Sequence, residues 1–197
     1  MIKTTFKTYS VYVLVLCLLL CCKKSEYEDN FSYYNLKKMG WKSKNHRIKI
    51  DNLTFIATEV PILYYISQTY GEDNLTTIDS VYKQLKSERI IEFIVENKEQ
   101  HNDIFDGSYT NRLEYTDAVE YFSASIKQDF FIVTQKKDTI PCNGVLFERT
   151  FKLTPYKKIL LYFSNINSDE EIELIYRDHL FNKGEIKYKF NNHLIKL

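Results

Sequence analysis

Apolar side chains recur along this chain in two rhythms, and between residues 47 and 190 the period-2 rhythm of a half-buried strand dominates. Residues 47–51 alternate through Ile48 and Ile50. After Asn52 the stretch 53–60 is rich in β-branched and aromatic residues, and Pro61 closes it. Further strands are predicted over 89–95, 119–126, 129–134, 145–153, 159–163, 171–177 and 185–190, separated by turn-like polar clusters such as Asn182-Lys183-Gly184. In the last of these Ile186, Tyr188 and Phe190 share one side while Glu185, Lys187 and Lys189 share the other, so it has one wet face. Residues 159–163 are apolar on both faces and belong in a sheet interior. Residues 61–66 fit a strand or a short helix equally, because six residues are too few for periodicity to arbitrate.

The 3.6 rhythm is clear in one place. Ile78, Val81, Tyr82 and Leu85 fall at i, i+3, i+4 and i+7, behind a capping-box-like Thr76 and Asp79. Nine strands with hairpin-length connections and one amphipathic helix specify a mainly β (α+β) fold. The architecture expected is an antiparallel two-layer β-sandwich with that helix as its crossover.

The first two dozen residues follow neither rhythm. Lys3 and Lys7 precede an uncharged stretch from Tyr9 to Cys22, after which charge returns abruptly at Lys23-Lys24-Ser25-Glu26. The 12 residues from Val11 to Cys22 are too short to span a hydrocarbon core, which takes roughly 20 helical residues at about 1.5 Å each. A basic start, a short apolar run and small residues at its end make an export signal. With a leucine three places before a cysteine, the stretch resembles the lipobox of bacterial lipoproteins, whose cysteine receives a diacylglycerol and becomes residue one. Cys22 fits that role best, with Leu19 three before it and the small Cys21 next to it. Cys21 is the alternative, and would place the bulky Leu20 at the cut. The Cys-Lys-Lys start, with a Lys-, Ile-, Asn-, Tyr- and Phe-rich composition, looks like lipoproteins of Bacteroidota.

That resemblance implies a division into a signal peptide (1–21), a tether (22–45) and a single β-rich domain (46–197). It also implies attachment to a membrane through an amino-terminal lipid anchor. Lys23 differs from the aspartate associated with inner-membrane retention, so the outer membrane is expected, facing the periplasm or the cell surface. Glu26, Glu28 and Asp29 read as a solvated linker, although such clusters also resemble surface-export signals of Bacteroidota.

Charge narrows the partners. Removing residues 1–21 takes away Lys3 and Lys7, so 27 basic side chains become 25 against 26 acidic ones, a net charge of −1. No nucleic-acid partner is expected, and the overall balance does not favour an anionic lipid surface either, since both rely on a concentrated positive field. Cys142 is the single cysteine beyond Cys22, so an acylated Cys22 leaves no pair for a disulfide inside the domain, and stability must come from the core.

Candidate chemistry is sparse. His101, Asp103 and Asp106 place an imidazole and two carboxylates in one loop, a weak candidate for a hard cation that matches no calcium-loop register; the plainer reading is a solvated turn. Asp178-His179 suggests an acid beside a base, yet neighbours on a strand point to opposite faces. Arg149 falls on the inward side of the alternation Val145, Phe147, Phe151, Leu153, where a guanidinium needs a buried partner. Cys142 lies in a predicted turn with no histidine nearby to activate it. Sixteen tyrosines and 13 phenylalanines invite a ring-built glycan or peptide surface, with Tyr33-Tyr34 and Tyr64-Tyr65 the pairs predicted to include an exposed ring. There is no G-x-S-x-G, H-E-x-x-H, glycine-rich phosphate loop or C-x-x-C, so no catalytic residue and no cofactor are expected. The function expected is a non-catalytic envelope module that binds or braces another envelope protein. An anchored hydrolase, or a ligand receptor or immunity protein, is the alternative.

Overall fold

Strand β1 (His46–Ile50) turns through Asp51 and Asn52 into β2 (Leu53–Val60), with Ile50 opposite Leu53 and Asp51 at φ 54, a left-handed conformation that aspartate tolerates. The computed structural model describes residues 45–71, 75–97, 103–105, 109–111, 113–167 and 169–191. Pro61 ends β2, and helices α1 (Ile62–Tyr70) and α2 (Leu75–Leu85) follow before β3 (Arg89–Glu96) returns antiparallel to β2. Helix α3 (Tyr115–Ser123) and a 3-10 turn (Ser125–Asp129) then carry the chain into β4 (Phe130–Thr134). The remaining strands are β5 (Thr139–Pro141), β6 (Gly144–Glu148), β7 (Tyr156–Phe163), β8 (Ile172–Asp178) and β9 (Gly184–Phe190).

These strands form two antiparallel sheets, in the orders β1-β2-β3-β7-β6 and β5-β4-β8-β9. The mainly β, two-layer antiparallel arrangement expected from the alternation is the one observed. Its inner faces are lined by odd-numbered positions of β2, β3 and β7 and even-numbered positions of β4, β8 and β9, as the pleat dictates. Phe93 sits at the centre, with the rings of Phe55, Phe130, Tyr176 and Tyr188 within 4.9–6.4 Å of its own. Phe130 and Tyr176 stack at 4.4 Å across neighbouring strands.

Several elements differ from the alternation. Residues 119–126 are not a strand: Tyr115, Ala118, Val119 and Phe122 stand at i, i+3, i+4 and i+7, and this spacing puts α3 against the core. Strand β6 stops at Glu148 rather than running to 153, because Phe151 and Lys152 take φ 45 and 66 and turn the chain away. The short β5 fills the ninth place. The 61–66 ambiguity resolves as α1. Among the described residues three α-helices therefore stand where one was expected. The helix predicted from Ile78 and Leu85 is α2, which leaves and re-enters the same sheet, while α3 makes the crossover. Asp79 bonds Lys83 one turn on at 2.6 Å, an i,i+4 pair.

Candidate functional site

Lys157 heads the inward row that continues through Ile159, Leu161 and Phe163 of β7, and its side chain is only 1% exposed. A charge so placed requires compensation. Asp103 supplies it, accepting from Lys157 Nζ at 2.6 Å and from the Phe105 backbone N–H at 2.9 Å. Thr150 Oγ1 accepts from the same ammonium at 3.2 Å, and the Phe105 ring lies 5.3 Å from it. The loop carboxylate considered for a cation is thus held by the protein's own cation. His101 and Asp106, the other two members of that candidate set, lie outside the described residues, as do Cys21, Cys22 and Tyr33-Tyr34.

The other end of the inner face carries a second buried pair. Arg89 is paired with Glu59 on β2 through Nε, and its Nη2 donates to Glu59 Oε2 at 2.9 Å. Its Nη1 donates to the carbonyls of Asn167 and Glu170 at 2.9 and 3.0 Å, tying the β7–β8 connection to the sheet. Burial raises the Glu59 pKa above the ordinary carboxylate value, outweighing the lowering by Arg89. A buried guanidinium with a structural partner is what the alternation predicts for Arg149, but Arg149 is exposed beyond the end of β6, its guanidinium 5.0 Å from the Phe151 ring. The device exists at a different arginine. Position 89 shares its parity with Ile91 and Phe93, and position 59 with Phe55 and Ala57, so both were readable as inward.

Asp178 and His179 separate as adjacent strand-end residues should. Asp178 is buried and organises the β8–β9 turn: its Oδ1 accepts from Tyr176 Oη and from the N–H groups of Leu180 and Phe181, and its Oδ2 from that of Lys183, all within 3.0 Å. His179 is 67% exposed and bonds a different acid, Asp129, through Nδ1 at 2.8 Å. Burial raises the Asp129 pKa, His179 lowers it and Asp178 raises it further. An imidazole oriented by a carboxylate is half of an acid–base apparatus. The other half would be a hydroxyl or thiol, and the partner His179 has is a carboxylate.

Cys142 is buried, with Sγ 3.1 Å from the Gly144 carbonyl and 3.6 Å from that of Tyr162, and burial pushes its thiol pKa up. That opposes thiolate formation. Tyr64 and Tyr65 lie on α1, both half-buried; Tyr65 Oη accepts from Tyr162 Oη at 3.4 Å on the outer face of the first sheet. Burial and Tyr65 together raise the Tyr162 hydroxyl. A shallow groove of about 330 Å³, lined by Val133, Thr134, Glu173 and Lys189 among others, crosses the second sheet. Among the described residues no cluster of three potential metal ligands occurs, and no helix is long and apolar enough to cross a membrane.

No family model and no curated protein matches this chain. Solved structures similar to it include two of undetermined function. One is a DUF4426 family protein from Pseudomonas aeruginosa PAO1, at 9% identity over 77% of this chain and 95% of that one, with a TM-score of 0.37. The other is a novel protein of unknown function from Burkholderia pseudomallei K96243, at 10% identity over 83% and 84%, with a TM-score of 0.32. At those scores neither likeness carries an argument about activity.

Proposed function

We propose that this chain is an envelope lipoprotein whose β-sandwich is a non-catalytic module that binds or braces another envelope component. Residues 1–21 are a signal peptide, Cys22 carries the acyl chains, and the stretch to residue 45 is a tether at the outer membrane. One observation carries the reading: two lysines, an uncharged run, Leu19 three places before Cys22, and an immediate return to Lys23-Lys24. The non-catalytic part is supported by how the buried ionisable groups are used. Arg89, Glu59, Lys157, Asp103 and Asp178 are each engaged in holding strands and turns together, and the Cys142 thiol is buried.

The test is metabolic labelling with palmitate together with intact mass of the membrane-extracted protein. The expected mass is that of a chain starting at Cys22 plus its acyl groups. Cys22→Ser removes the label and releases the chain from the membrane fraction. Label that survives in Cys22→Ser and vanishes in Cys21→Ser moves the site by one residue; label absent from the native chain ends the proposal.

An anchored hydrolase draws on the Asp129–His179 pair alone. It requires a reacting group within hydrogen-bond reach of His179 Nε2.

A further inference from the structure

We infer that the loop between β6 and β7, residues 149–155, docks on an anionic lipid surface, with Phe151 and Leu153 entering the acyl boundary and Arg149 and Lys152 meeting phosphate. The inference deepens the lipid-anchored reading and rests on it for the presence of a bilayer.

Exposure is the first observation. Phe151 is 69% and Leu153 85% exposed, two large apolar side chains within three residues at the tip of one loop. Scattered exposed leucines need no explanation, but a paired apolar tip does.

The second observation is that the loop is held in that shape. Phe151 and Lys152 are consecutive side-chain-bearing residues in the left-handed region, a conformation that disfavours a Cβ. A turn closes it, the Leu153 N–H donating to the Thr150 carbonyl at 2.8 Å. Its base is clamped, since Thr154 Oγ1 lies 2.9 Å from Thr150 Oγ1 and donates to the Tyr156 carbonyl at 2.7 Å, while Thr150 also takes the buried Lys157 ammonium. A tip fixed in advance loses little freedom on docking.

Charge selects the occupant. The seven residues carry two cations and no acid. Both cations lie over rings, Arg149 at 5.0 Å from Phe151 and Lys152 at 4.4 Å from Tyr115, so their charge stands beside the apolar tip. Interleaved basic and large apolar residues match the boundary between phosphate and acyl chains. A convex tip also suits a medium that deforms around it. The 23 residues from Cys22 to Lys44 reach at most about 80 Å when extended, so an acyl anchor and this loop can engage one bilayer together.

The experiment uses the full chain with Trp41→Phe, which removes the sole native tryptophan, and Phe151→Trp, which puts an indole at the exposed tip. The probe is a vesicle of phosphatidylethanolamine and phosphatidylglycerol, with phosphatidylcholine as the neutral control. Expected are a shift of indole emission to shorter wavelength and quenching by brominated lipid in the anionic vesicles, with Arg149→Glu and Lys152→Glu together abolishing both. An indole that keeps a water-like, unquenched emission while the chain co-floats with vesicles overturns the loop and leaves the anchor standing. A quenched indole in a chain that takes no palmitate sinks the anchor and leaves the loop. Emission that shifts only when an envelope protein is added, with no lipid quenching, assigns the tip to a protein and overturns the lipid docking.

Discussion

Arg89 and Lys157 are the residues on which the two ends of the inner face depend, and their cost is asymmetric. An ion pair taken out of water returns little net stability, whereas removing one member strands the other. Arg89→Met leaves Glu59 buried and alone, and the expected loss is about 3–5 kcal/mol in urea unfolding. Arg89→Met with Glu59→Leu recovers most of it, since neither charge remains. Equal destabilisation in the single and double variants would show that the pair's worth lies elsewhere, in the Asn167 and Glu170 carbonyls that Arg89 also serves. The residues are legible in hindsight from parity alone. Arg149 is placed inward by the alternation of its neighbours, but that alternation continues past Glu148 although the chain has left the sheet.

At the scale of elements, most of the sandwich was readable because its strands have one dry face and one wet one. Strand β9 is the plainest case: Ile186, Tyr188 and Phe190 are buried while Glu185, Lys187 and Lys189 are exposed. The interior placement of residues 159–163 holds too, since β7 lies between β3 and β6. What was not readable was α3. Val119, Tyr121 and Phe122 belong to types enriched in strands, so propensity points to a strand where the Tyr115, Ala118, Val119 and Phe122 spacing is helical. Tertiary burial of that face settles the conformation. Glu120 is exposed on α3, where its carbonyl accepts from the Ala124 N–H at 3.2 Å. Glu120→Pro is expected to cost about 3 kcal/mol or more through the broken helix ladder, read as a lower urea midpoint with loss of helical circular dichroism. Glu120→Ala should leave both nearly unchanged. The candidate lipid-attachment site at Cys22 is an expectation from sequence alone and lies outside the described residues.

At the scale of the whole molecule, three carboxyls act in the same direction. Burial raises Glu59, Glu92 and Asp129 above their ordinary values, against the lowering by Arg89, Lys158 and His179 beside them. A group raised in the folded state gives stability that is complete below its unfolded pKa and is lost as pH climbs through its folded pKa. These three groups therefore make the domain lose stability as pH rises out of the acid range. Asp129→Asn is expected to flatten part of that decline in urea midpoints measured across a pH series from the ordinary carboxylate range to neutrality. A slope identical to that of the native chain would remove Asp129 as a contributor.

Strand β9 closes one side of the second sheet, and its outward row of Glu185, Lys187 and Lys189 includes two salt-bridged members, with Glu185 linked to Arg177 at 3.2 Å and to Lys187 at 2.9 Å. Under the lipid anchoring proposed above, copies would meet one another on a membrane at two-dimensional concentrations far above those of a dilute solution. An unguarded border would then recruit the same border of a neighbour, copy after copy. Fixed charges of both signs along this border make such stacking expensive, so a crowded population can stay individually folded.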